Sequence, residues 1–517
     1  MQPIHRRAAL IGLGAAGAAP LLARPGVAQG AERDIRFAFG SPILSLDPGN
    51  SDGSQPQTVR YHVMEQLVRM NPATGAIEPL LAESWAVADD KVTWTFRLRP
   101  GVRFHDGTTL TSADVVASIR RMLDPANGLP RGNDLRAIRE LREVDPLTVQ
   151  IVTATPFGPF LAVMAQDSAS VMSKASLERP AAAIAWGPVA TGAYRYQSHV
   201  PQQSVTITRN DEYWGPRSGP RSITFLNVPE AATRLAMLET GQADIIVDVP
   251  AVELPRLRRA PQIGLIEKPN NRLVHIGINV ARAPFNDVRV RRALLHAIDR
   301  DAIVEGVLGG LGEPAQSIIA SVVAGYAPPP VTPYDPRRAR ALLAEAGFPN
   351  GFQTTIWTPQ GRYFMDREVT VAVQAQLRAV GIRAEVQVMD WSSYLAVLRR
   401  PEAENRSALY LLGWQSNTND IQHILDTVFT ANRVPPAGWN TMFYRSEASD
   451  ALSARVAAEV DEPSRKALAA EAQALIMGDA PWAPLYSSVM VTGHRADITG
   501  IDYMPTDSWR LHNVRPR

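Results

Sequence analysis

The residues best suited to acid–base or metal chemistry are nine histidines, at positions 5, 62, 105, 199, 275, 296, 423, 494 and 512. No two stand three or four residues apart, so the spacing that sets two imidazoles on one helical face around a zinc ion is missing. His105 lies in His105-Asp106-Gly107-Thr108, between two strand-like stretches where Asp-Gly is turn chemistry, and is read as structural. The chain has neither the strained GxSxG turn that exposes a serine nucleophile nor the GxxxxGK[ST] loop that cradles phosphates. With no cysteine it has no thiol nucleophile, disulfide, iron–sulfur ligand or lipid-modified N-terminal cysteine. The 51 acidic residues could supply a glycosidase-like pair, whose members can lie far apart in sequence, but no pattern marks one. No catalytic residue, metal site or cofactor is expected.

One motif needs an alternative reading. Gly12-Leu13-Gly14-Ala15-Ala16-Gly17 is a literal GxGxxG, the fingerprint of a dinucleotide cradle. That cradle needs a strand before it and an unbroken helix after it, whereas Arg6-Arg7 precede it and Pro20 and Pro25 interrupt the would-be helix. Residues 1–30 read instead as an export signal: a basic start, a mildly apolar Ala/Gly/Leu stretch, then small residues. The paired arginines resemble a twin-arginine signal, and Sec export remains an alternative. Cleavage is expected near Gln29 or Ala31, leaving a periplasmic protein without a lipid anchor.

The elements that would carry a site emerge from composition and periodicity. A length of 517 residues suggests two to four domains. With 53 basic against 51 acidic residues the formal charge is +2, too small a field to hold nucleic acid or an anionic membrane. No other stretch has 18 uninterrupted apolar residues. Lys91 to Leu98 alternates as a half-buried strand, and Thr111 opens a helix with Asp114 at its third position. Asp287 and Asp335-Pro336 cap two further helices. A helix from Asp366 to Val380 ends at Gly381, and the alternating strand Ile382 to Val388 comes next. A last helix from Glu462-Pro463 to Gly478 leads into an apolar strand, Leu485 to Val491. Helix then strand, repeated, argues for an α/β architecture.

Several ordered motifs share one likeness. They are Ser45-Leu46-Asp47-Pro48, Pro79-Leu80-Leu81-Ala82-Glu83-Ser84-Trp85, the block from Leu98 to Arg121, Thr191-Gly192-Ala193-Tyr194, Gly241-Gln242-Ala243-Asp244, Pro284-Phe285-Asn286-Asp287, Ala344-Glu345-Ala346-Gly347-Phe348 and Gly413-Trp414. Together they resemble solute-binding proteins of family 5, the dipeptide and oligopeptide receptors of ATP-driven importers, over essentially the whole mature chain. The resemblance implies a two-lobe periplasmic-binding-protein-like α/β fold of type II, in the large class with an extra subdomain inserted in lobe one. Lobe one is expected over 31–270 plus 484–517, with the insert near 71–188, and lobe two over 271–483. The crossings between lobes are expected at Arg272 to Val280 and around Pro481 to Val491. The implied role is capture of a peptide or similar solute by a monomer and its delivery to a membrane permease. Modified peptides, oligosaccharides, opine-like compounds and metal chelates are alternative solutes, and an exported hydrolase or a chaperone are alternative functions.

The resemblance also implies site residues. Trp391, after Asp390, and Trp414 match aromatic pocket walls, with core packing as the alternative for each. Arg362 falls where the family grips a ligand carboxylate, which its planar fork suits. Asp52-Gly53-Ser54 matches the loop that pairs with a bound peptide backbone. Where peptide binders carry an aspartate facing the ligand ammonium, this chain has Asn417, and an amide cannot neutralise a buried ammonium. Either Asp420 or Asp52 takes over, or the ligand has no free α-ammonium there; the second is expected.

Overall fold

The computed structural model describes residues 33–50, 53–216 and 219–517. The expected export segment over 1–30 and the candidate Asp52 lie outside the described residues.

Alternating apolar residues build one large sheet. In lobe one its strands are β1 (Asp34–Phe39), β2 (Tyr194–Val200), β3 (Ser204–Arg209), β4 (Ser222–Asn227) and β5 (Ile245–Ile246). The long β6 (Ile263–Ile278) leaves this lobe, and β7 (Phe352–Pro359), β8 (Ile382–Met389) and β9 (Leu409–Gln415) belong to lobe two. The long β10 (Trp482–Arg495) returns. The order across the sheet is β8-β7-β9-β6-β10-β5-β1-β4-β3-β2. The sheet is therefore continuous through both lobes only because β6 and β10 run side by side.

The ladder between them changes partners partway. Ile263 to Pro269 pair with Arg495 to Val489, and Leu273 to Gly277 pair with Ser487 to Trp482, with a register shift between Pro269 and Leu273. On one side of that shift β10 meets β5, and on the other β6 meets β9. The expected first crossing at Arg272 thus sits at the shift, inside a strand that begins nine residues earlier. Three residues leave the ladder there, and their polar groups find other partners, as buried backbone must. The Asn271 N–H donates to the Pro505 carbonyl at 3.0 Å, and the Asn271 amide donates to Ser416 O at 2.6 Å.

Separate cores flank this hinge. One gathers Ile276, Leu294, Val373, Leu411, Ile424 and Trp482. Another stacks Phe37, Phe39, Phe225 and Trp509 under the lobe-one strands. A four-stranded antiparallel sheet spanning Ala82 to Thr153 carries a third, with Trp94, Phe96 and Phe160, and this is the inserted subdomain. Its helix Ser112–Leu123 starts where the capping pattern predicts, since the Thr111 N–H donates to the Asp114 carboxylate at 2.9 Å. Its strand begins at Thr93 rather than Lys91, because Lys91 takes a left-handed φ of 59° in the preceding turn. Among the described residues no helix is long and apolar enough to cross a membrane.

Two histidines are locked neutral inside these cores. His62 donates from Nδ1 to Thr58 O at 2.7 Å and accepts at Nε2 from the Leu511 N–H at 2.9 Å, so a second proton has no place. Burial lowers His62 from the ordinary 6.5 to about 3, and likewise lowers His275, whose ring packs 3.8 Å from Trp482. Below pH 6.5 the unfolded chain therefore binds protons that the fold excludes, and stability falls as pH drops from 6.5 toward 3. Urea unfolding between pH 7 and 4.5 should show this loss, at up to about 1.4 kcal/mol per pH unit for each ring. The slope should shrink by about one proton in His275→Gln; an unchanged slope would mean that His275 titrates in the fold.

Candidate functional site

A cleft of about 1100 Å³ lies between the lobes. Its lobe-one wall comes from the start of helix α1 (Ser54–Val63) and from the segment 130–137 of the insert. Gly53, the N-cap of α1, and Ser54 both line it. Behind them runs a chain of charges, buried at Arg60, Asp167 and Arg131. Arg60 Nε reaches Asp167 at 2.5 Å, Arg131 Nη1 reaches the same carboxylate at 2.8 Å, and Arg131 Nε reaches Asp134 at 3.1 Å. Burial opposes ionisation of Asp167, but Arg60 and Arg131 outweigh it and hold its carboxyl below the usual range. Asp134, facing the cleft, is pushed up by burial against the pull of Arg131.

The lobe-two wall starts from the loop before helix α2 (Asp366–Ala379). The Arg362 N–H donates to the Asp366 carboxylate at 2.8 Å, which fixes the loop. The Arg362 guanidinium lines the cleft and lies 4.8 Å from the centre of the Trp391 ring and 5.8 Å from that of Tyr363. Trp391 opens helix α3 (Trp391–Leu398), capped by Asp390 accepting from the Ser393 N–H at 3.0 Å, and it stacks on Tyr394. Its ring is thus a platform for Arg362 and is not among the residues lining the cleft. Tyr363 can stand so close to β9 because position 413 is glycine; a Cβ there would come within 2.8 Å of the Tyr363 ring.

Trp414 is half-buried against the lobe-two core and packs on Trp439 with ring centres 5.5 Å apart. The residues beside it, Gln415 and Asn417, reach the cleft, while Trp414 itself does not line it. Asp420 is also turned away. It caps helix α4 (Ile421–Val428), accepting from the Gln422 N–H at 2.8 Å, and Arg465 grips both its oxygens, at 2.7 and 2.5 Å. With its side chain 3% exposed, Asp420 has no capacity left for a ligand ammonium.

Several lining residues carry no sequence signal that singles them out: Arg131, Asp134, Arg136, Arg272 and Asp507. His423 and Asp426 do carry one, because in Ile421–Val428 the apolar Ile421, Ile424, Leu425 and Val428 turn inward, which leaves these two on the cleft face. Burial lowers His423 to about 4, so its ring is neutral at pH 7. Arg272 and Asp507 meet only where β6 crosses between the lobes. Arg272 donates to Gln415 Oε1 at 2.6 Å and stands 3.7 Å from Asp507, which accepts from Tyr503 Oη–H at 2.6 Å and Asn270 at 3.1 Å. No group of acidic, histidine or cysteine side chains among the described residues could hold a metal ion.

Comparison with known proteins gives this arrangement a context. Residues 76–435 match the family described as bacterial extracellular solute-binding proteins, family 5 (middle). The chain is 33% identical over 490 residues to the glutathione-binding protein GsiB of Escherichia coli K12, covering 94% of each. Among solved structures it is similar to HbpA2 from Haemophilus parasuis, with 27% identity, a TM-score of 0.85, and 94% of this chain and 100% of that one covered. It is also similar to the ABC transporter-associated periplasmic binding protein DppA from Helicobacter pylori in complex with the peptide STSA, at 26% identity and TM-score 0.71, covering 94% and 98%.

The Asp420–Arg465 pair holds the helix that faces the cleft, so breaking it should first cost stability. Asp420→Ala leaves Arg465 buried without its carboxylate, and urea unfolding should register a loss of about 3–5 kcal/mol. A loss under about 1 kcal/mol would show that the pair does not hold the helix.

Proposed function

The chain belongs to the bacterial extracellular solute-binding proteins of family 5, and from that premise we propose that its solute is a short peptide with free carboxylates, glutathione or a close chemical relative. Capture of a solute between two lobes for an ABC importer is the function of this family. The finer reading is that residues 1–30 direct export, that the mature protein works as a monomer in the periplasm without a lipid anchor, and that it binds its solute without turnover.

The observation that carries the choice of solute is Arg362. It lines the cleft on an aromatic platform, and among the described residues no carboxylate lies within ion-pair reach of it. The other lining arginines have partners: Arg131 has Asp134, Arg272 has Gln415 with Asp507 nearby, and Arg136 stands 3.7 Å from Asp426. Four arginines against three aspartates leave the lining one positive charge in excess. Glutathione carries two carboxylates and one ammonium at pH 7, a complementary net charge. Its ammonium sits on a γ-linked residue, away from where an ordinary peptide presents its N-terminus, which suits an amide at Asn417 in place of a carboxylate. The fit to the 33% identical glutathione-binding relative adds support.

Thermal shift and calorimetry on ligand-stripped protein test the reading. Glutathione at about 100 times its Kd should add roughly 2.7 kcal/mol of apparent stability. Arg362→Ala should weaken binding at least about tenfold, near 1.4 kcal/mol, and amidating the solute's carboxylates should abolish the difference between variant and parent. Stabilisation by sugars or chelates alone would remove peptide from the reading. Asn417→Asp should tighten binding of ordinary α-peptides such as trialanine several-fold, through the restored ammonium partner. Unchanged affinity for every free peptide would show that position 417 does not choose among ammonium positions.

A further inference from the structure

Besides the hinge, the inserted subdomain meets lobe two through a second close-packed contact. Phe157-Gly158-Pro159 lies against the turn between helices α5 (Glu447–Ala458) and α6 (Glu462–Asp479). The Gly158 N–H donates to the Ala457 carbonyl at 2.7 Å, and Val460 from the turn packs on the subdomain's core. Gly158 is required by space: a Cβ would overlap the Glu459 carbonyl oxygen and stand 2.8 Å from Cδ and Nε of Arg465. On the rim Lys91 approaches Glu459 at 3.7 Å.

Two features tie this contact to the cleft. Phe157, Pro159 and Ala457 line it, so the clasp forms part of its boundary. Arg465, over which Gly158 sits, donates to Val456 O at 3.1 Å and grips Asp420, the cap of the helix that presents His423 and Asp426. The turn, the helix cap and the boundary are therefore held by one guanidinium.

We propose that this clasp is an end wall of the cleft and sets how long a bound peptide can be. While Gly158 is bonded to Ala457, backbone is packed on backbone, and no peptide chain passes between the subdomain and the turn. A ligand that fits between the wall and the hinge is enclosed, and a longer one must break the clasp to bind. The inference rests on the peptide reading above, and its test separates the two.

Calorimetry on the mature protein and on Gly158→Ala and Val460→Ser variants would use glutathione, trialanine and hexaalanine as probes. The parent should prefer the better tripeptide to hexaalanine at least tenfold, and each variant should cut that ratio at least fivefold by gaining affinity for hexaalanine. A ratio unchanged in variants that keep the parent's Tm overturns the length rule alone. Binding of none of the three probes by the parent overturns the peptide reading and the rule with it. Should the variants not fold, spin labels on K91C and E459C in the cysteine-free chain decide. One short, narrow distance that hexaalanine lengthens and trialanine does not supports the wall, and a distance indifferent to both overturns it.

Discussion

The chain passes between its lobes on two strands, and what those strands permit governs the rest of the molecule. A continuous antiparallel ladder resists bending where every N–H is paired across it. β6 and β10 are paired on both sides of the crossing but not over Asn270 to Arg272, where the register shifts, and a second shift follows between Val274 and His275. There the backbone is held by side chains and loops: Asn270 Oδ1 accepts from the Arg272 N–H at 3.1 Å, and Asn271 reaches Ser416 and Asn419. The β6–β10 ladder is thus interrupted at these three residues, with Arg272 still paired to Gln415 of β9. Because Arg272 is one of them and also lines the cleft, the floor of the binding site and the hinge are the same piece of chain.

Charge in the cleft keeps a consistent division. The deeply buried ions are paired within their own wall, as the desolvation cost of a lone buried ion demands. Asp167 has Arg60 and Arg131, and Asp420 has Arg465. These pairs fix elements, helix α1 on one side and helix α4 on the other, and have little left to offer a solute. The weakly partnered groups, Arg362 and Arg136, stand at the surface of the cleft. A solute therefore meets a wall already shaped by saturated pairs and finds its own counter-charges only in the side chains those pairs leave over.

Much of the fold is legible in the sequence because its signals are local. Asp287, Asp335 and Thr111 cap the helices their spacing predicts, and the alternation of Ile382 to Val388 forms β8. The site is legible only in part. Arg362, Asn417, Gly53 and Ser54 lie on the cleft through motifs with fixed neighbours. Trp391, Trp414 and Asp420 occupy the same motifs but point elsewhere, since residue type places a side chain near a site and packing decides which way it turns. Asp420 cannot be distinguished from a ligand contact in sequence, because its partner Arg465 lies 45 positions away on another helix. Arg131 and Asp134 carry no motif at all and reach the cleft because the insert folds over α1.

The arrangement also bears on how binding is converted into closure. A solute shifts two lobes toward the closed state only by as much as it binds that state more strongly than the open one. Contacts confined to one lobe are made equally in both states and contribute nothing to the shift. Here the lining arginines are divided between the walls, Arg136 on the insert, 3.7 Å from Asp426, and Arg362 on lobe two, with Arg272 between them at the hinge. A solute that bridges the two walls would make part of its contacts only in the closed state, and that part would drive closure. For the two-carboxylate peptide proposed above, this division of charge would make closure itself part of the recognition.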